Sequence, residues 1–270
     1  MVLVKINGVE RYIDGYLKNN LDNLNELVVN KWDGVGFVTG YEGDGKSWIA
    51  NQIAAYLDPT YNIDRCVFTA KQFLDAVDNA KPFQCIVFDE AHAAFSNTNR
   101  YDEINKLIIT KLTMIRKKQL FLIIIAPTFF DLRKYLVIHR SRFVIHAYAN
   151  GIKRGFFRFF NREKKHKLFI FGKKNEDMYS VSPNFIGCYT AWFPLDEEEY
   201  ERKKDEATLE IKESNDKLGV RQQRNKMFYY YFKEPGRSVD EISALIGLDS
   251  REIRRYVKKI GVLKEGGGEL

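Results

Sequence analysis

Four runs of mostly apolar residues, separated by polar and glycine-rich segments, organise the first part of this chain. They cover residues 35–38, 85–88, 120–125 and 143–148, and they lack the strict alternation of a half-exposed strand. Strands buried on both faces have this pattern, which is typical of parallel sheets. A further, shorter strand is expected at residues 65–68.

The segments between these runs have the period of amphipathic helices. Residues 17–32, 71–79 and 102–118 place apolar side chains three or four positions apart, and another helix is expected at residues 129–137. This spacing gives a helix one buried face. Strands that alternate with helices predict an α/β fold with a mostly parallel sheet and right-handed crossovers.

Basic and aromatic residues interleave further along the chain. Residues 155–160 and 166–171 predict the two strands of a hairpin, joined at residues 161–165. Such a hairpin would extend the sheet edge, or contact DNA by stacking bases on aromatic rings and holding phosphates on basic side chains. Both alternatives stay open, and Lys164 and Lys165 at the tip are the candidate DNA contacts.

The C-terminal segments predict a linker and a small helical domain. Residues 196–216 are dense in alternating charge, as in an exposed helix. In residues 217–270, a capping box opens one helix at Ser238, Gly247 ends it, and Asp249 caps the next. This pattern fits a helix-turn-helix or winged-helix domain, with a protein-docking bundle as the alternative. The last helix would present Arg251, Arg254, Arg255, Lys258 and Lys259 to DNA.

The segment after the first apolar run carries the clearest chemistry. Residues 40–47 read Gly-Tyr-Glu-Gly-Asp-Gly-Lys-Ser and fill every fixed position of the phosphate-loop pattern G-x-x-x-x-G-K-[ST]. A strand, a glycine-rich turn and a helix aim backbone N–H groups and a helix N-terminus at one point, which suits a polyphosphate. We expect a nucleoside triphosphate to contact Gly40, Tyr41, Glu42, Gly43, Asp44, Gly45, Lys46, Ser47 and Trp48.

Two carboxylates supply the rest of a hydrolytic site. Lys46 is expected to reach the β- and γ-phosphates, and the Ser47 hydroxyl to ligate Mg²⁺. Asp89 and Glu90 end an apolar run, at the strand tip where ligands bind in open α/β sheets. Asp89 would hold Mg²⁺ through water, and Glu90 would deprotonate the attacking water. A glutamate beside the metal aspartate favours ATP hydrolysis over a kinase or a GTP switch.

Three further residues are candidates for catalysis. Thr128 follows the apolar run 120–125 and would either sense the γ-phosphate or cap the next helix. Arg140 and Arg142 would either reach the ATP of a neighbouring subunit, where they stabilise transition-state charge, or pair with surface carboxylates. The role at a neighbour's site requires a homo-oligomer.

Composition and charge bear on location and partner. Hydrophobic residues make up 45% of the 270, enough for one large core and a small domain. No apolar run is long enough to span a membrane, and three widely spaced cysteines fit a reducing compartment as small core residues; we expect a cytoplasmic protein. The net charge is +8 over residues 150–174, −6 over 196–216 and +6 over 217–265. The basic segments either favour a polyanion such as DNA or form solvated faces.

Together, these motifs resemble those of P-loop ATPases encoded by archaeal and bacterial viruses and plasmids. The resemblance rests on the phosphate loop, the Asp89-Glu90 strand, the basic residues 116–118 before an apolar strand, and residues 127–142. It covers roughly residues 34–200. These ATPases form part of the FtsK/HerA-like branch, near the zonular-occludens-toxin-like proteins. The resemblance implies a RecA-like core, here residues 1–195, and a motor that moves DNA as a ring, of which a hexamer is one form.

Two departures from this family keep other functions open. The sequence has no membrane anchor such as many of those relatives carry, and its C-terminal helix-turn-helix is more typical of AAA+ replication initiators and loaders. The alternatives to a DNA translocase are therefore an AAA+-like initiator or helicase loader, and a nucleotide-gated DNA-binding regulator. A helicase is not favoured, since a second RecA-like lobe does not fit in 270 residues.

Overall fold

A computed structural model describes residues 2–89, 102–216, 224, 227 and 237–255, without the side chains of 102–109 and 211–216. The chain divides into two compact units, Met1–Ala207 and Thr208–Leu270. The first is α/β, and the described part of the second is helical. The predicted fold class is therefore confirmed.

A seven-stranded sheet forms the centre of the first unit. Its strands are β3 (Gly34–Thr39), β4 (Cys66–Val67), β5 (Cys85–Phe88), β6 (Phe121–Ile125), β7 (Ser141–Asn150), β8 (Lys153–Phe160) and β9 (Phe185–Cys188). Their order is β4-β5-β6-β3-β7-β8-β9. The first five in this order run parallel, and β8 and β9 add antiparallel pairs. Strand β6 thus separates β3, which enters the phosphate loop, from β5, which ends at Asp89.

Helices cover both faces of this sheet. Every residue of β3, β5 and β6 is buried, as expected for parallel strands between two helical layers. One layer contains α1 (Gly15–Val29) and α2 (Lys46–Leu57). The other contains α3 (Ala70–Asn79), α4 (Asp102–Lys117) and α5 (Arg162–Gly172).

The two ends of the first unit have simpler structures. Strands β1 (Val2–Ile6) and β2 (Val9–Ile13) form a separate hairpin, with positive φ at Asn7 and Gly8 in its turn. Type I′ turns require this conformation. Helix α6 (Glu197–Asp216) begins in the first unit and continues into the second.

The described part of the second unit agrees with the predicted helix boundaries. Helix α7 (Val239–Ile246) opens with a capping box of Ser238 and Glu241 and ends at Gly247, whose φ is +69°. A small core contains Met227, Ile242, Ile246 and Ile253. Most of the flanking predicted helices lie outside the described residues, so the helix-turn-helix stays a prediction.

The prediction of a second hairpin strand at residues 166–171 is wrong. Residues 166–171 belong to α5, and Asn161 caps that helix by accepting the N–H of Lys164. The segment is rich in aromatic and branched residues, but its buried positions share one helical face: Lys165, Leu168, Phe169 and Gly172. The hairpin partner of β8 is instead β7.

Two smaller expectations also need correction. The helix expected at residues 129–137 is replaced by a π-helical turn at Tyr135–Arg140. Cys66 and Cys85 are buried as expected, but Cys188 is exposed, with its sulfur 3.2 Å from the Tyr12 hydroxyl. Among the described residues, no helix combines the length and hydrophobicity needed to cross a membrane.

Candidate nucleotide-binding site

The phosphate loop joins β3 to α2 at the carboxyl end of the parallel strands. Gly40, Gly43 and Gly45 have φ of +148°, +83° and +83°. A Cβ on Gly40 would lie 2.5 Å from the Ala147 carbonyl oxygen, and one on Gly45 would lie 2.1 Å from the Tyr189 hydroxyl oxygen. The two ends of the loop therefore require glycine for space as well as for conformation.

Polar contacts within the loop hold its charged groups in place. The buried carboxylate of Asp44 accepts the backbone N–H of Tyr41 at 2.8 Å. Lys46 Nζ donates to the Tyr41 carbonyl oxygen at 2.7 Å. Burial lowers the pKa of Lys46, while the charges of Asp89 and Asp44 act in the opposite direction. An ammonium group thus lies across the loop, where an incoming phosphate would give it a stronger partner.

The predicted metal ligands lie side by side. Asp89 is 3% exposed, and Ser47 Oγ donates to its Oδ2 at 2.8 Å. The hydroxyl of Tyr200, from α6, donates to the same oxygen. Burial and the nearby charge of Asp89 raise the pKa of Tyr200 far above its ordinary value, so this phenol keeps its proton at neutral pH. Ser47 and Asp89 are 42 positions apart, and the sheet order brings them together.

These groups face an open cavity of about 400 Å³, which we call the phosphate cavity. The loop, Asp89, β8 and the first turns of α6 contribute to its lining, which includes Lys46, Ser47, Asp89, Arg154, Tyr200 and Lys204. A second open cavity, of about 440 Å³, lies between α3, β4 and α6 and contains none of the loop residues. We therefore identify the candidate site by the residues that line the cavity and not by its volume.

The donor atoms fit the expected Mg²⁺. Serine and carboxylate oxygens are hard ligands, and Mg²⁺ in nucleotide sites usually takes one or two protein ligands besides water and phosphate. In the described part of the chain, no group of three or more His, Cys, Asp or Glu side chains could hold a metal ion. The oxygen atoms of Ser47 and Asp89 fit an ion that nucleotide phosphates would also ligate.

Comparison with known proteins gives structural but not sequence matches. No family model and no curated protein sequence matches the chain. The N-terminal domain of zonular occludens toxin from Neisseria meningitidis is 17% identical, with 63% of this chain and 98% of that domain covered and a TM-score of 0.37. The genome packaging NTPase of Sulfolobus turreted icosahedral virus 2, in complex with sulfate, is 13% identical, with 62% and 100% covered and a TM-score of 0.35. AMPPCP-bound DnaA from Aquifex aeolicus is 14% identical, with 93% and 87% covered and a TM-score of 0.32.

The geometry of this chain itself decides the fold. A glycine loop follows β3, and the Asp89 strand lies two places away in a parallel sheet. The hydrogen bond from Ser47 to Asp89 joins the two motifs at the carboxyl ends of the parallel strands. The fold is that of a P-loop NTPase. The resemblance to P-loop ATPases, and the RecA-like class of the core, are confirmed at this level.

Thr128 lies near the phosphate loop, three residues after the end of β6. Its neighbour Pro127 accepts the N–H of Gly40 at 3.4 Å. The Thr128 hydroxyl accepts the N–H of Phe130 at 3.2 Å, which is a local capping contact. A role as γ-phosphate sensor stays a prediction.

Arg140 and Arg142 lie at the opposite end of β3 from the loop. The Arg140 guanidinium pairs with the Asp33 carboxylate at 2.9 Å and donates to the Leu112 carbonyl oxygen. Arg142 Nε donates to the Asp33 carbonyl oxygen at 3.1 Å, and its guanidinium packs over the Trp32 ring. Arg140 thus has the carboxylate pairing that was one of its two alternatives. Contact with a neighbouring subunit's ATP stays a prediction.

The predicted DNA contacts have different outcomes. The prediction that Lys165 contacts DNA is wrong, because its side chain is fully buried. Its Nζ donates to the Val137 and Ser141 carbonyl oxygens, each at 2.5 Å. Burial lowers its pKa to about 7. Lys164 is half-buried, with Nζ on the Pro183 carbonyl oxygen at 2.8 Å. Arg251, Arg254 and Arg255 are exposed. Three predicted site residues lie outside the described residues: Glu90, Lys258 and Lys259.

Sequence reasoning missed a histidine directly beneath the loop. His146 Nδ1 lies 3.2 Å from the Thr39 hydroxyl oxygen, and its ring meets Tyr41 and Tyr179 edge-on. Burial lowers the pKa of His146 to about 4, so the ring is neutral at pH 7. The only signal in the sequence was one polar residue within an apolar run.

The side chains that complete the cavity were also missed. Arg154 comes from β8, and Tyr200 and Lys204 come from α6. Tyr189 follows β9 and contacts the loop from outside this cavity, where its hydroxyl donates to the Asp44 carbonyl oxygen. Their places depend on how β8, β9 and α6 pack against the loop. No local motif marks them, so the sequence alone could not identify them.

Proposed function

We propose that this protein is an ATPase that hydrolyses ATP with Mg²⁺. One observation carries the proposal: the hydrogen bond between Ser47 and Asp89 at the mouth of a glycine loop that also holds Lys46. A buried carboxylate, a hydroxyl and an ammonium group converge there on one open cavity. Such convergence is typical of ligand and catalytic sites.

Each residue has a distinct proposed role. Lys46 and the loop N–H groups bind the β- and γ-phosphates, and Ser47 and Asp89 hold the metal ion. When bound, Mg²⁺ would supply positive charge that offsets the negative charge of the phosphates while the γ-phosphoryl group is transferred to water. Glu90 is the proposed general base for water, a role that its place directly after Asp89 supports.

We infer that DNA is the macromolecular partner. Support comes from the net charge of +6 over residues 217–265 and from three exposed arginines, Arg251, Arg254 and Arg255. The favoured activity is DNA translocation or packaging by a cytoplasmic homo-oligomeric ring of a virus or plasmid. An AAA+-like initiator or loader and a nucleotide-gated regulator are the alternatives.

Two substitutions separate binding from turnover in the ATPase proposal. Lys46→Ala should abolish nucleotide affinity, because Lys46 attracts phosphate in the ground and transition states alike. Glu90→Gln should bind ATP normally but lower kcat by roughly 10²- to 10⁴-fold, the usual contribution of a general base. Calorimetry gives the affinities and phosphate release gives the rates.

Exposed Lys71 in α3 offers a matched control. Lys71→Ala should change neither quantity. Equal loss of ATP affinity in Lys46→Ala and Glu90→Gln would contradict the two roles.

Electron microscopy with DNA and a slowly hydrolysed ATP analogue tests the translocase, and DNA-binding and movement assays with ATP separate the other two alternatives. A closed ring around duplex DNA supports the translocase. Sequence-specific binding without processive movement supports an initiator. DNA binding that needs ATP but not its hydrolysis supports the regulator.

A further inference from the structure

A second, smaller cavity adjoins the phosphate cavity. It has a volume of about 230 Å³ and is lined by Gly45, Trp48, Arg154, Gly155, Tyr189 and Ala191. Gly45, Trp48 and Arg154 also line the phosphate cavity. We call this second space the nucleoside cavity. The shared residues make the two spaces neighbours at the N-terminus of α2.

Tyr189, which lines the nucleoside cavity, is fixed to β8 by its backbone and to the phosphate loop by its hydroxyl. Tyr189 N donates to the Gly155 carbonyl oxygen at 2.7 Å, which continues the pairing of β8 with β9. Its hydroxyl donates to the Asp44 carbonyl oxygen at 2.8 Å. Gly155 has a φ of +104°, and a Cβ there would lie 2.7 Å from the Tyr189 carbonyl oxygen. This part of the lining is therefore built into the sheet and needs no ligand to form it.

The cavity is also lined by a half-buried tryptophan. Trp48 lies two positions after Lys46 in α2, and its ring packs against Phe193 with 5.7 Å between centroids. Phosphates held by Lys46 and the helix N-terminus must leave the rest of a nucleotide pointing away from the loop. The residues shared by the two cavities indicate that the base and ribose would extend toward the nucleoside cavity.

The lining also indicates how a base would be recognised. Trp48 and Tyr189 offer aromatic rings and Arg154 offers a guanidinium, while none of the described residues that line the cavity has a carboxylate or carboxamide side chain. Base edges are distinguished by carboxylate, carboxamide and arginine side chains, whereas stacking on an aromatic ring accepts any base and favours larger ring systems. Arg154 also lines the phosphate cavity, so we assign its guanidinium to the phosphate side of the nucleotide and not to a base edge.

We propose that the nucleoside cavity binds the base and ribose of the nucleotide by stacking on Trp48, with Arg154 between base and phosphates. The site thereby selects purine over pyrimidine nucleoside triphosphates and discriminates little between ATP and GTP. This proposal rests on the proposed function, because it places the phosphates of the same nucleotide on Lys46.

Calorimetry on the full chain with Mg²⁺ tests the subsite against the phosphate site. The ligands are ATP, GTP, CTP and inorganic tripolyphosphate, which has no base. We expect ATP and GTP to bind within about threefold of each other and CTP several-fold more weakly. Trp48→Ala should weaken the binding of ATP and GTP by about tenfold, which is the scale of one base–aromatic stack. It should leave the affinity for tripolyphosphate unchanged.

Two further variants control for packing. Trp48→Phe keeps an aromatic ring and should retain most of the ATP affinity. Trp32→Ala removes a tryptophan from the far end of β3, beside Arg142, and should change no affinity.

Three results would overturn the proposed role of the nucleoside cavity. They are equal weakening of ATP and tripolyphosphate binding by Trp48→Ala, no weakening of the binding of either ligand, or a preference of more than about tenfold between ATP and GTP. Failure of the proposed function looks different. In that case Lys46→Ala would leave tripolyphosphate binding unchanged, whatever Trp48→Ala does.

Discussion

At the residue scale, one carboxylate oxygen organises the site. Oδ2 of Asp89 accepts hydrogen bonds from both Ser47 and Tyr200, so two elements fix its orientation before any ligand binds. Preorganised groups of this kind bind charge without a cost of rearrangement. The chemistry of the site therefore depends on the charge of Asp89 as well as on its hydrogen bonds.

Asp89→Asn should separate these two contributions. The amide keeps the size of the side chain but loses the charge that attracts a cation. We expect ATP affinity in Mg²⁺ to fall to its value in EDTA, while affinity in EDTA stays the same. Asp75→Asn, at an exposed position of α3, is the control. A full Mg²⁺ effect on ATP affinity in Asp89→Asn would contradict a metal-binding role.

His146 should make stability depend on pH. Its pKa falls from 6.5 to about 4 on folding because burial disfavours the charged ring. Below pH 6.5 the unfolded chain binds a proton at this histidine, whereas the folded ring stays neutral until the pH nears 4. The free energy of unfolding is therefore at its full value above pH 6.5 and falls by up to about 3 kcal/mol as the pH falls toward 4. Chemical unfolding of the full chain between these pH values measures the loss.

His146→Gln should flatten that pH dependence, and exposed His166→Gln should leave it unchanged. An identical slope of unfolding free energy against pH in the wild type and in His146→Gln would show that another group titrates.

At the element scale, the parallel strands could be predicted and the structure after β8 could not. Residues 35–38, 85–88 and 120–125 are apolar throughout because helices cover both faces. Around α5 the signals conflict, since aromatic and branched residues favour a strand while the cap at Asn161 and the buried positions favour a helix. Packing on the sheet decides for the helix.

The cap of α5 gives a direct test of this assignment. Asn161→Ala removes the acceptor for the Lys164 N–H and should lower the free energy of unfolding by about 1 kcal/mol. Asn161→Asp keeps an acceptor and should cost little. If Asn161→Ala unfolds at the same denaturant concentration as the wild type, this segment does not depend on a helix cap.

At the scale of the whole molecule, the proposed ATP site and the proposed DNA contacts fall in different units. The phosphate cavity belongs to Met1–Ala207, whereas the exposed arginines belong to Thr208–Leu270. The glycine loop and Asp89 could be found by local pattern. Arg154, Tyr189 and Tyr200 could not, because strand pairing and helix packing bring them to the site from distant segments.

A triple substitution of Arg251, Arg254 and Arg255 to Gln should weaken DNA binding and leave ATP affinity intact. Each lost phosphate contact reduces the salt slope of binding by about 0.9, so the total reduction should approach about 3. Glutamine at exposed Lys71, Lys81 and Lys134 removes the same charge from the first unit as a control. Larger effects from the control would place the DNA surface on the first unit.

The most direct test of the ATPase is phosphate release from ATP by the purified full chain, in Mg²⁺ and in EDTA, for the wild type and Lys46→Ala. We expect the wild type to release phosphate only with Mg²⁺ and Lys46→Ala to release none above background. Equal release by both proteins, or no release by the wild type under any oligomeric or DNA-bound condition, would contradict hydrolysis at this loop.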